Sequence, residues 1–166
     1  MTTTWTDFAA GAPETAAVFL RRLEATGMAL LATIRRDGSP RISPLEPDVS
    51  SGRLWLGSMP NSTKSKDLRR DPRCCLHSAT EDKEVKDGDA KLWGRAIEVV
   101  DLADRQAFVA SVKERTGNDL DAMPGGFDLF WLDVTGASAV QLGADGQHLR
   151  ITAWEAGGEE RVIERR

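Results

Sequence analysis

Turn signals recur along this chain at spacings too short for long helices. Asp37-Gly38, Ser51-Gly52 and Asp145-Gly146 each separate two apolar or alternating runs, which is the pattern of β-hairpins. Strands are expected over 28–35, 41–48, 53–58, 73–78, 90–100, 127–134, 137–142 and 148–154, and the tail offers one more near Val162. Helical spacing is confined to three places. The first follows Pro13 and Glu14, carries Ala16, Phe19, Leu20 and Leu23 on one face, and stops at Gly27. The second runs from about Ser62 to Arg70 and ends before Asp71-Pro72, because the residue before proline resists the helical region. The third is capped by Asp101 or Asp104, presents Phe108, Val109 and Val112, and closes at Gly117.

Consecutive hairpins with few intervening helices make an antiparallel sheet, not the strand–helix alternation of a doubly wound fold. The expected fold class is mainly β with flanking helices: one domain of 166 residues in which six to eight antiparallel strands curl into a barrel. The second strand is irregular. Pro44 and Pro47 lie inside it and remove ladder donors, so it belongs at an edge or a bulge. Sheet irregularities of this kind recur beside ligand sites.

Composition narrows the function. A formal net charge of -4 argues against a broad nucleic-acid or membrane-surface role. The basic run from Lys64 to Arg73 has no stacking aromatics interleaved with it, so nucleic acid is not the expected partner. No stretch approaches the ~18 apolar residues of a membrane span, and residues 1–11 carry no apolar run of a secretory signal. A cytoplasmic location is the expectation. Cys74 and Cys75 are adjacent, so in a strand they face opposite ways and read as reduced thiols filling the sheet. His77 and His148 sit in separate strands without an acidic partner at motif spacing, so neither a catalytic triad nor a metal site is expected.

The chemistry concentrates where the strand Leu54-Trp-Leu-Gly-Ser58 gives way to the helix at Ser62-Thr-Lys64. The first backbone N–H groups of a helix lack internal partners, and the dipole makes that end positive. A lysine in the first turn is unfavourable to that dipole, so its presence asks for an anion such as a phosphate.

Several motifs, in order, resemble the pyridoxamine 5'-phosphate oxidase-like split β-barrel family of FMN- and deazaflavin-binding oxidoreductases. They are the hairpin Leu31 to Arg41, the strand ending in Gly57-Ser58, Ser62-Thr-Lys64 with Leu68 and Asp71-Pro72-Arg73, and Trp93-Gly-Arg-Ala96. The similarity runs over about 14–142. It implies a homodimer with the cofactor at the subunit interface. On that pattern Arg41 reaches the phosphate or ribityl chain, and Ser43 and Pro44 lie along the isoalloxazine ring. Leu56, Gly57 and Ser58 form a floor beneath it. Ser62, Thr63 and Lys64 hold the phosphate, and Trp93 contacts the ring or the dimer partner. FMN-binding members often carry an arginine before the helix lysine and a second lysine five residues after the strand arginine. This chain has Thr63 and Glu46 there.

The resemblance therefore implies FMN or, with the phosphate site re-aimed, a deazaflavin with its phosphodiester and acidic tail, which Lys66, Arg69 and Arg70 would receive. The tail, 155–166, lacks the arginine-rich motif of vitamin B6 synthesis. The implied activity is reduction of a small unsaturated or quinone-like substrate. The alternatives are a non-catalytic flavin-sequestering protein and an interaction module whose cofactor site has decayed.

Overall fold

A computed structural model describes residues 2–80 and 84–166. Residues 81–89 read as a charged loop in the sequence, and 81–83 lie outside the described residues. Two helices lead: α1 (Trp5–Gly11) and α2 (Pro13–Thr26). Then come β1 (Ala29–Ile34), β2 (Pro40–Leu45), β3 (Asp48–Ser50) and β4 (Arg53–Ser58). Helix α3 (Thr63–Arg70) precedes β5 (Arg73–Ser78) and β6 (Asp89–Glu98). Helix α4 (Leu102–Thr116) and a 3-10 turn (Leu120–Ala122) lead into β7 (Asp128–Leu142), β8 (Leu149–Glu155) and β9 (Arg161–Arg165).

All strand pairs are antiparallel, in the order β2-β1-β5-β6-β7-β4-β3, with β8 and β9 branching from β7. The branch explains one difference from the sequence reading. The expected sixth and seventh strands are a single strand of 15 residues. Its first part pairs with β4 and its second with β8, while β6 runs along both. Thr135-Gly136 is not a break but a bulge, where the β6–β7 register shifts between Trp93 and Gly94. A Cβ at Gly94 would lie 1.9 Å from the Asp133 carbonyl oxygen, so the Trp-Gly pair of the fourth motif is required by close backbone approach.

Helix α1 is absent from the sequence reading. Its signal is a capping box: the Thr4 hydroxyl accepts from the Asp7 N–H, and the Asp7 carboxylate accepts from the Thr4 N–H. Trp5 and Phe8, three apart, then face inward. With Phe19 of α2 and Trp154 of β8 they plug one end of the barrel; Trp5–Phe8 and Phe8–Trp154 ring centroids lie 5.3 and 5.5 Å apart. The interior is filled by the inward alternation of β1, β5, β6 and β7, including Leu31, Leu76, Leu92 and Leu132. Cys74 is part of this core, and burial pushes its thiol up to about 12, so it is inert as a nucleophile. A smaller second core lies outside the barrel, where α4 sets Phe108 against Trp55 with centroids 5.0 Å apart.

Helix α2 begins at Pro13, and its N-cap residue, Ala12, supplies no side-chain acceptor. The β8–β9 connection supplies one. The Glu160 carboxylate accepts from the N–H groups of Glu14 (3.0 Å) and Thr15 (2.8 Å) and from the Thr15 hydroxyl (2.6 Å). Replacing Glu160 by Ala should lower unfolding stability by about 1–2 kcal/mol in urea titration, the usual cost of losing a helix cap. An unchanged midpoint would show that water caps the helix equally well.

Candidate functional site

The barrel is split between β2 and β4. The two strands lie close but do not hydrogen-bond. Pro44 within β2 and Pro47 just after it withhold N–H donors from that edge. A cavity of about 550 Å³ occupies the split. One side is made by Pro44, Gly57, Ser58 and Lys64, the other by Trp55, Phe108 and Phe127. A Cβ added at Gly57 would meet nothing within 4 Å, so the strand floor is open to close approach there.

Helix α3 starts at this cavity. Ser62 is its N-cap and accepts from the Ser65 N–H at 3.2 Å. The Ser62 carbonyl takes the Lys66 N–H. The remaining two N–H groups of the first turn, on Thr63 and Lys64, have no acceptor among the described residues. The hydroxyls of Ser58, Ser62 and Ser65 bond one another at 2.6 to 3.2 Å. Asp128 accepts from the Asn61 N–H and from Arg69 at 2.8 and 2.7 Å, which fixes the turn before the helix. Lys64 donates to the Pro44 carbonyl at 2.9 Å and has no carboxylate partner among the described residues. Burial lowers its pKa, because the ammonium is partly desolvated without a counter-charge. Two free amides, the exposed Thr63 and one uncompensated ammonium fit a single phosphate group.

Other expected site residues are placed differently. Arg41 points to the same face as Thr33, its register partner, and donates to Asp67 at 2.7 Å, so its guanidinium is already paired. Ser43, half-buried opposite Leu31, lies in the sheet next to Pro44 but not in the cavity wall. Leu56 is buried in the main core, in register with Phe130. Ser62 and Thr63 sit at the helix start just outside the wall. Trp93 lies across Gly136 on the outer face of the sheet, away from the cavity. The structure therefore brings together Pro44, Gly57, Ser58 and Lys64, with Ser62 and Thr63 adjoining.

The wall from α4 and the following turn is absent from the sequence reading. Phe108, Val112 and Arg115 recur at helical spacing and share one face, a signal visible in the sequence. What that face covers is set by tertiary packing. Arg115 also reaches Asp48 at 2.8 Å. The histidines need a correction as well. The turn at 145–146 brings Asp145 to 2.7 Å from His148, β9 brings Glu164 to 3.3 Å, and Asp89 lies 3.8 Å from His77. None of these groups lines the cavity. Among the described residues no cluster of three or more His, Cys, Asp or Glu side chains could hold a metal ion. No helix among them is long and apolar enough to cross a membrane.

Residues 15–141 match the family model described as pyridoxamine 5'-phosphate oxidase. The chain belongs to that family. Solved structures share its split-barrel fold. An FMN-binding, pyridoxamine 5'-phosphate oxidase-related protein of Nostoc punctiforme aligns over 93% of this chain and 95% of its own with TM-score 0.65 and 15% identity. PhzG of Burkholderia lata, solved with tetrahydrophenazine-1-carboxylic acid, aligns over 93% and 92% with TM-score 0.60 and 15% identity. The heme storage protein HutZ of Vibrio cholerae aligns over 74% and 88% with TM-score 0.58 and 18% identity. No curated protein matches the chain.

Anion binding at α3 should follow the charge on Lys64. Phosphate affinity is complete while the free protein's Lys64 is protonated, and it is lost as pH rises through that lowered value. Calorimetric titration with inorganic phosphate should therefore weaken before pH reaches the ordinary lysine value of 10.5. A flat profile up to that pH would remove Lys64 from the anion site.

Proposed function

We propose that this protein is a flavin- or deazaflavin-dependent oxidoreductase that acts as a homodimer on a small unsaturated or quinone-like substrate. The observation that carries this is the meeting of an open strand floor at Gly57 with a partly desolvated ammonium, free of any carboxylate among the described residues, at one cavity, which the start of α3 with its two free amides adjoins. Lys64 and the amides of Thr63 and Lys64 would hold the cofactor phosphate. Pro44 and Gly57 would flank the ring, and the Ser58 hydroxyl is placed to hydrogen-bond its edge. Bound there, the cofactor would supply hydride transfer. The protein's part is to hold, orient and shield. The apolar wall from α4 excludes water from one side of the cavity, and Ser58 is kept in place by Ser62 and Ser65. The FMN-binding Nostoc protein and the ligand seen in PhzG, both on the same fold, support a flat conjugated ligand.

Self-association is supported by the outer face of the sheet. Register places Ile42, Ala32, Cys75 and Trp93 in one row and Pro44, Leu30, His77 and Lys91 in the next. Ile42 is 69% exposed and Leu30 43%. An apolar row of this kind on the outer face, beside Pro44 at the cavity edge, suits a second copy. Replacing Ile42 by Asp should convert the dimer to a monomer in sedimentation velocity and weaken FMN binding with it. A monomeric wild-type protein would remove the dimer from this reading.

A second reading has its own observation. Arg41, engaged with Asp67, and Glu46, acidic at the cavity, leave one positive side chain free for the phosphate. That favours a site that has lost FMN and serves as an interaction module. Fluorescence titration with FMN and with a deazaflavin decides. Under the first reading one of them binds, and Lys64→Ala weakens it about tenfold or more, the worth of one charge-assisted contact. If neither binds, the oxidoreductase reading fails. If one binds, turnover with an added reductant separates an enzyme from a flavin store.

A further inference from the structure

The cavity has an aromatic flank that the cofactor residues do not form. It lies under α4, with Trp55, Phe108 and Phe127 as aromatic walls. Four charged side chains line the whole cavity: Lys64, Glu46, Asp48 and Arg115. Arg115 and Asp48 pair with each other at 2.8 Å and cancel. Lys64, on the reading above, is taken by the cofactor phosphate. Glu46 remains. It is exposed at the rim and makes no ion pair or hydrogen bond among the described residues.

We propose that this flank of the cavity selects conjugated ring ligands by charge, with Glu46 as the selecting residue: uncharged or basic rings enter and acidic rings are turned away. Three features act in the same direction. The aromatic walls give any flat ring a surface to stack against. The faces of those walls are electron-rich and attract a cation more than an anion. Glu46, uncompensated, repels a carboxylate at the rim and pairs with an ammonium there, with the modest strength of a solvent-exposed charge. This rests on the assignment of Lys64 to the phosphate, since a free Lys64 would offset Glu46.

Three probes with one ring isolate the charge: 2-naphthylmethylamine, 2-naphthalenemethanol and 2-naphthoate. Each is titrated by calorimetry into the full-length protein with FMN present. The amine and the alcohol should bind about threefold to fivefold more tightly than the acid, a difference the size of one exposed charge contact. Glu46→Gln should remove most of the gap between amine and acid, and Glu46→Lys should reverse the order. Glu46 is exposed, so both variants are expected to fold, which circular dichroism checks. Equal affinities in the wild type, or an order unmoved by Glu46→Lys, would overturn the proposal. A protein that ranks the probes as expected, even without FMN, but never binds FMN refutes the cofactor reading alone. One that binds FMN and fails to rank them refutes the charge selection alone.

Discussion

Asp67 holds the two sides of the split together. It lies in α3, which follows β4, and its carboxylate is only 5% exposed. Arg41 of β2 donates to it at 2.7 Å, Thr33 of β1 at 3.1 Å and Arg70 at 3.2 Å. Burial alone would raise its pKa, but the hydrogen bonds from Arg41, Thr33 and Arg70 outweigh this and hold it below the usual carboxylate range. It is therefore ionised through the neutral range and keeps all three partners. β2 has no ladder on its outer edge. The Asp67 cluster, with the Lys64–Pro44 bond one turn away, stands in for that ladder. Arg41 is used as a structural clamp, and that removes one positive group from the cavity.

The cavity exists because the sheet does not close there. Prolines 44 and 47 withhold donors from the β2 edge, and β3 is three residues long, so the sheet is left unpaired there. Two different linings meet in it. The α3 side is polar, with amides and an ammonium. The α4 side is aromatic, because the second core outside the barrel reaches over the gap. A flat molecule with a charged end matches that arrangement.

Much of the fold is legible in the chain. The Asp37-Gly38 turn sets the β1–β2 register, Pro72 stops α3, Asp101 caps α4, and Gly27 and Gly117 end their helices in the left-handed region. Consecutive hairpins account for neighbours such as β1–β2 and β3–β4, whereas the β1–β5 and β4–β7 pairings that complete the sheet order join strands far apart in sequence. Other features depend on distant partners and left weaker signals. The β7 bulge at Thr135 reads as a strand break because only pairing with β6 shows the strand continuing. Helix α1 is short and polar outside, and its capping box is the one local mark of it. At the site, the strand-to-helix junction picks out Gly57, Ser58 and Lys64 in the sequence, and the structure sets them along one cavity. The commitment of Arg41 to Asp67 could not be read, since nothing in the order of residues says which anion a strand arginine meets. The α4 wall was missed for a related reason: Phe108 and Val112 announce an apolar face, not what it faces.

The cap that Glu160 places on helix α2 has a consequence for how the molecule is made. Its acceptor lies 145 residues downstream of the Thr15 amide it serves. During synthesis α2 must therefore emerge with its first turn unsatisfied and wait for nearly the whole barrel to leave the ribosome. Contacts of such sequence separation close late and slowly. The last hairpin then acts as a clasp between an early helix and the late strands β8 and β9.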